Sequence, residues 1–424
     1  MIRTSNVARA VCCFIALSLL LAARGDCGIT GEIGDREFLE DVPYKVLVLE
    51  YDSPQRSAWG RELSQLIARQ VLGSMRGLSH AGVVDLKQRE QRVLLRPERV
   101  VALAREQEAQ VVIWGEFYLS EKGVYLHSHL RLVTLRHLRL MTRLPGSNLP
   151  VQAALPSLQI NFSPIAVSLT TLNQLRDLAE QSVTIRLRPS QSAPAIGRLM
   201  LREIHSVQQT RQGWMLVETP ERRGWVYYAA LEPGTAPGSA RELREVGAVV
   251  EFAQGALQYI GGSYAAAEET LRAYLSQYAA KQDSMNQAVA RILLTNASIL
   301  KRRDRSWSTA GDELLSGYLQ AAQLLPNSAS PVNHLAFALL QRSTEREGFS
   351  DQFRDLENRL IHVIKTEGDL DSILNLRSLY NLAARRRLLL RDSKQSLESY
   401  QASLARQIRL LDNLERNLSP RKVE

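Results

Sequence analysis

Apolar positions change period several times along the chain, and each change marks an element. Lys45 to Glu50 (KVLVLE) is a nearly unbroken apolar run, the pattern of a strand covered on both faces. Trp59, Leu63, Ile67 and Val71 then recur at every fourth position and predict one helical stripe. Val83-Val84-Asp85 is short and strand-like. Pro97 lacks the amide hydrogen that a first helical turn leaves unpaired, so it predicts a helix start, with the helix running to Gln107. Val111 to Phe117 is the second strong strand. The turn Glu121-Lys122-Gly123 leads into alternating Val124 to Val133, and a further alternating run covers Leu135 to Leu140. The order β-α-β-α-β-β predicts a small α/β domain over residues 40–145.

Pro145, Pro150, Pro156 and Pro164 predict an irregular connection, and Leu169 to Glu180 a helix, together a linker and bridging helix over 146–182. The period then falls to two. Val183-Thr184-Ile185, Ile204 to Val207, Trp214 to Val217 and Trp225 to Tyr228 are short strand patterns parted by Pro and Gly turns, which predict a compact β-barrel over 183–233. Glu232 to Ser239 (EPGTAPGS) is a linker by composition, and beyond it the period is helical. Leu390, Leu397, Leu404, Leu411 and Leu418 repeat every seven residues until Ser419-Pro420, predicting a long amphipathic helix over 391–419. Ser393 and Gln407 interrupt its second seam, so a helix capping the array and a dimerising or partner-binding helix both remain open.

Three stretches resemble known families. The β module resembles a bacterial SH3-like (SH3b) domain in its Ile185-Arg186 and Pro189-Ser190 opening, its Pro194-Ala195-Ile196-Gly197 turn, its Gly213-Trp214 step and its Gly224-Trp225-Val226 close. Arg188 departs from the pattern, standing where that family usually has Gly before the Pro. The resemblance implies a groove lined by aromatic rings that holds a peptide, in envelope relatives the peptide of peptidoglycan. The candidate ligand-binding residues are Trp214, Trp225, Tyr227 and Tyr228; the alternative is that the tryptophans fill a very small core and the tyrosines lie half exposed. Phe252, Gly255-Ala256, Tyr259, Gly262, Tyr264, Ala267, Leu271 and Tyr274, then Tyr318, Ala321, Pro326-Asn327, Leu335-Ala336 and Leu339, resemble tetratricopeptide helix pairs. That likeness, over 245–390, implies a solenoid whose concave surface takes a protein partner; a plain helical bundle is the alternative. The KVLVLE strand, the REQEAQVVIWGEF passage and the hairpin behind it are similar to the amino-terminal domain of the Tol-Pal periplasmic protein and to the related domain of curli-secretion and flagellar-assembly lipoproteins. Those domains make protein contacts at the outer membrane, and the likeness carries over no functional residue.

Composition adds a compartment. The length of 424 residues predicts two or three domains, and 45% hydrophobic with 23% charged residues is ordinary for a folded protein. Arg3 and Arg9 without an acid, the apolar Ala10 to Ala23, and Ala23-Arg24-Gly25 form the pattern of a signal peptide over 1–25, which predicts export to the periplasm or cell envelope. Cys12 and Cys13 would leave with it. Cys27 would then stand alone, without an internal disulfide, and either unmodified or lipidated. The net charge of +9 comes from 45 Arg and 8 Lys against 44 acids, spread along the chain except at Lys301 to Arg305 and Arg385 to Arg391. Such a surface keeps an exported protein soluble or meets anionic envelope surfaces, with membrane proximity, and no nucleic-acid partner is expected.

His127 and His129 alternate on one strand and His137 lies near, which admits a metal site or the solvent face of a half-covered sheet; the second is the expectation, so no metal is assigned. The chain lacks GxxxxGK[ST], GxGxxG after a strand, HExxH, CxxC and GxSxG, so neither catalytic residues nor a cofactor are expected. The sequence therefore predicts a multidomain α+β protein: small α/β domain, SH3-like β-barrel and tetratricopeptide-like solenoid. The expected role is an exported non-enzymatic envelope adaptor that binds a cell-wall peptide or a protein ligand through the barrel and a protein partner through the helices. The alternatives are an outer-membrane assembly or secretion accessory that oligomerises through its last helix, and an unrecognised hydrolase.

Overall fold

The structure is a computed structural model. It describes residues 44–53, 60, 63–64, 67, 71, 81–86, 97–106, 108–121, 123–133, 139–143, 149–155, 159–168, 170, 182–200, 206–211, 214–218, 222–227, 239–302, 311–342, 350–389, 405, 409 and 412–413. The fold is mixed α+β. The segment read as a signal peptide, Cys27, His137, Tyr228 and most of the segments read as the bridging helix and the final heptad helix lie outside the described residues.

The first sheet has six strands. Strand β1 (Tyr44–Leu49) lies parallel between β2 (Ala81–Leu86) and β3 (Val111–Ser120), and β3 turns antiparallel into β4 (Gly123–Leu132). Val46, Leu47, Val48 and Leu49 are all fully buried, which is why the run does not alternate. Leu47, Leu49, Val112 and Trp114 pack under helix α1 (Pro97–Glu106) through Val100, Val101 and Ala104. Val46, Val48, Ile113 and Phe117 face the larger core with Leu63, Ile67 and Val71, the described part of the predicted helical stripe.

One expectation is corrected here. Residues 150–168, read as a Pro-rich connection, form β6 (Pro150–Ala154), β7 (Gln159–Asn161) and β8 (Ile165–Ser168). Strands β7 and β8 both pair with β4, so the first domain does not end at residue 145. Strand β6 pairs with β5 (Arg139–Arg143) in a separate two-stranded ribbon. Proline density hid these strands because Pro150 begins its strand, where a missing N–H costs nothing, and because strands of three to five residues are too short to show alternation.

The second sheet is an antiparallel array in the order β10-β9-β13-β12-β11. Its strands are β9 (Ser182–Arg186), β10 (Ala195–Met200), β11 (Ser206–Arg211), β12 (Trp214–Glu218) and β13 (Arg223–Tyr227). Gly224 is required in β13, since a Cβ there would lie 2.6 Å from Ile185 Cγ1 and 2.9 Å from the Arg186 carbonyl.

Seven α-helices follow among the described residues: α2 (Ser239–Ile260), α3 (Tyr264–Tyr278), α4 (Ser284–Lys301), α5 (Gly311–Leu324), α6 (Ala329–Arg342), α7 (Ser350–Glu367) and α8 (Leu370–Leu389). Each packs on its neighbours in sequence, and α2, α4, α6 and α8 also touch one another in turn. Gly255 brings α2 against α3, where a Cβ would sit 2.7 Å from Leu271 Cγ, and Phe252 meets Tyr274 edge to face at 5.3 Å. Helix α5 stops at Leu324, before Pro326, and Pro331 sits in the first turn of α6. None of these helices is long and apolar enough to cross a membrane. One continuous core takes in the first sheet, the inner side of the second sheet and the helices, the helices packing on the first sheet and the β5–β6 ribbon.

Candidate functional site

Alternation in the second sheet sorts its apolar side chains between two faces. Met215 and Val217 of β12 join Val183, Ile185, Leu199 and Val226 in the main core. Trp214, Leu216 and Trp225 form a separate cluster on the opposite face. The register puts Leu216 across from Trp225 and Trp214 across from Tyr227, with the Trp214 and Tyr227 rings 5.2 Å apart. The two tryptophans are buried at 5% and 6% exposure, whereas Tyr227 is 40% exposed. Thus the tryptophans are buried without filling the aliphatic interior, and of the three described candidates Tyr227 alone offers much surface. Tyr228 lies outside the described residues. Arg186 pairs with Trp225, and its guanidinium donates to the Ala193 carbonyl at 2.6 Å, closing the loop between β9 and β10.

A second arrangement was not anticipated from the sequence. The inner sides of α4, α6 and α8 carry buried amides and hydroxyls that hold the backbone of residues 150–163. Asn375, fully buried on α8, donates to the Gln152 carbonyl at 2.7 Å and accepts from the Gln152 amide at 3.0 Å, so it continues the β6 ladder as a side chain. Its second amide hydrogen goes to Asn333 Oδ1 on α6 at 2.9 Å. Asn333 in turn donates to Asp369 Oδ2, which also accepts from the Ser372 amide at the start of α8. Ser330 donates to the Ala154 carbonyl and Ser378 to the Pro150 carbonyl, while Arg139 of β5 pairs with Asp371 at 2.8 Å. Burial raises the Asp371 carboxyl and Arg139 pulls it back. Further along, Asn286 of α4 donates to the Asn161 carbonyl at 2.8 Å, and Gln282 accepts from the Ser163 amide at 3.1 Å.

This seam satisfies edge groups of short strands that would otherwise lie buried and unpaired. At these amides the inner sides of α4, α6 and α8 are occupied by the chain's own backbone. Ser372, Asn375 and Ser378 recur every third residue, but Asp371, Arg377 and Asn381 stand among them, so in the sequence the buried stripe looks no different from a solvated face.

Behind the seam, His334 is fully buried between α4 and α6. Its Nδ1 lies 2.8 Å from the Ser330 carbonyl, which only accepts, so Nδ1 carries the proton and Nε2 faces the Asn296 amide at 3.5 Å. Burial lowers its pKa to about 4, with the Ser330 contact opposing. Asn296 Oδ1 accepts from the Tyr318 hydroxyl at 2.6 Å.

On β4, the His127 and His129 rings meet edge to face at 4.4 Å, with Trp114 5.4 Å from His129. His129 Nδ1 is 2.8 Å from Asn161 Oδ1, and burial holds this imidazole below its usual range. Among the described residues no group of three or more His, Cys, Asp or Glu side chains is placed to hold a metal.

No protein-family model matches the chain, and no curated protein matches it. Among solved structures it is similar to a PelC dodecamer from Paraburkholderia phytofirmans, with 16% identity over 21% of this chain and a TM-score of 0.14. That match spans 59% of the PelC chain, less than two thirds of its length.

Proposed function

We propose that the protein is an exported, non-enzymatic adaptor of the cell envelope, in which residues 183–233 act as an SH3-like barrel and 245–390 as a tetratricopeptide-like solenoid. The observation that carries this reading is the Trp214–Tyr227 pair: a half-exposed phenol ring standing on a buried indole, on the face of the sheet away from the aliphatic core. An aromatic ring fixed in this way offers apolar area at little entropic cost, which suits binding of a short peptide such as the stem peptide of peptidoglycan. The helical array would take a protein partner on surface other than the Asn375 and Asn286 seam, whose hydrogen bonds are already used within the chain.

The test is sedimentation of the full chain with purified sacculi, before and after an amidase removes the stem peptides. Retention on intact sacculi, lost on stripped ones and weakened about tenfold by Tyr227→Ala, is the expected result, the factor being that of one well-placed aromatic contact. Equal retention on both preparations, or none, overturns the cell-wall half of the reading.

A further inference from the structure

We propose that the β9–β10 end of the second sheet is a docking surface for anionic phospholipid headgroups. Residues 182–200 contain Arg186, Arg188 and Arg198 and no acid, and Arg222 adds a fourth cation, while the half-buried Arg223 beside it lies across from Glu218 of β12. Strand pairing gathers these into one region. Arg198 lies beside Thr184, two residues from Arg186, and Trp225 of β13 pairs with Arg186. The Arg222 guanidinium lies where a Cβ on Gly197 of β10 would project. Arg188, Arg198 and Arg222 are exposed. Between Arg186 and Arg188 stands Leu187, the first residue beyond β9, with 39% of its surface open to solvent although its amide is fixed on the Pro194 carbonyl at 3.1 Å.

Charge decides the sign of the partner, and Leu187 decides its kind. Several arginines spread over two strands and the turn into a third attract a field of negative charge. An apolar side chain held among them gains nothing from a soluble anion or a sugar phosphate. At a bilayer it can leave water at the headgroup–acyl boundary while its charged neighbours stay among the phosphates. The loop is braced by the Arg186–Ala193 bond, so little order is lost on docking. This inference rests on the envelope reading only for the compartment, and it names a second contact of the same module.

The experiment is cosedimentation of the full chain with vesicles of phosphatidylcholine alone and with added phosphatidylglycerol, each with and without excess inorganic phosphate at constant ionic strength. The apolar amino terminus is common to every arm, so the difference between lipids is what is read. Phosphatidylglycerol should raise binding, and Arg188→Gln with Arg198→Gln should lower it by about 30-fold, the effect of two arginines near a charged bilayer. Leu187→Ser should lower binding about threefold without changing its salt dependence. Unchanged circular dichroism establishes that the exposed substitutions leave the fold intact. Equal binding to both lipids, an unaffected double variant, or displacement by phosphate beyond that of chloride overturns the proposal, the last outcome indicating a discrete anion pocket instead. Sacculus retention of the double variant separates the two readings: it should persist where vesicle binding is lost.

Discussion

Replacing Asn375 by alanine removes three hydrogen bonds at once, to the Gln152 carbonyl, to Asn333 Oδ1 and from the Gln152 amide. Asn375 is fully buried and Gln152 is 6% exposed, so water does not readily replace the lost partners. With an orphaned buried group costing about 1–3 kcal/mol, the two stranded backbone groups, with about 1 kcal/mol for the bond lost at Asn333 Oδ1, which keeps the Ser372 hydroxyl at 3.0 Å, together predict a loss of about 3–5 kcal/mol at the β6 seam. Ser378→Ala, which removes one bond to Pro150, should cost only about 1 kcal/mol. Native-state hydrogen exchange measures the local effect without assuming two-state unfolding. Protection of the Gln152 amide should fall about 100-fold or more in Asn375→Ala and be little changed in Ser378→Ala. Asn375→Asp gives a sharper outcome. The carboxylate keeps the Gln152 amide as donor but sets an oxygen against the Gln152 carbonyl and Asn333 Oδ1, so its folded pKa should lie above the ordinary Asp value. A carboxyl raised in this way binds more protons folded than unfolded, and the defect should ease as pH falls. An unchanged Gln152 amide in Asn375→Ala, or a defect in Asn375→Asp that deepens on acidification, would refute the clamp.

The buried imidazole makes a second pH prediction of opposite sign. His334 titrates at about 4 in the fold against 6.5 as an ordinary imidazole, so the unfolded chain takes up the proton first. Stability is complete above the ordinary pKa and declines as pH falls from 6.5 to 4, by about 3 kcal/mol in all. Urea midpoints of the wild type and His334→Gln, compared across that interval, should diverge on acidification; parallel curves would mean that His334 is not buried neutral. In the first sheet, a Cβ on Gly115 would project into the Tyr51 ring and the His127 carbonyl, and Tyr51 donates to Ser128 at 2.9 Å. Gly115→Ala should therefore cost about 2–3 kcal/mol, lower the thermal midpoint, and make a following Tyr51→Phe nearly neutral because the hydroxyl bond is already lost. Full additivity of the two substitutions would count against that packing.

Legibility in the sequence followed range and repetition. The first six elements of the amino-terminal half appear in the order their periods predict, because β1, β3 and β4 are long and either fully or alternately buried. Helix ends near Leu324 and Ala329 were marked by Pro326 and Pro331, whose effects are local. The seam was not legible. Its strands pair with β4 or with side chains of helices far along the chain, and a buried Asn on a helix looks the same in sequence as a solvated one. The aromatic cluster was half legible: Trp214 and Trp225 stood out as either ligand-binding or core residues, but nothing local says which face of a small sheet carries the aliphatic core, or that Leu216 joins them on the other.

The union of Gln152 with Asn375 joins positions 223 residues apart. A chain made from its amino end must therefore hold the β5–β6 ribbon without its lateral partners until α8 has emerged, and closing so wide a circuit slows the last stage of assembly. Shortened products that stop before residue 370 would carry an open strand edge toward neighbouring chains, the geometry from which aggregates grow. The arrival of one asparagine on α8 thus completes a strand laid down 223 residues earlier.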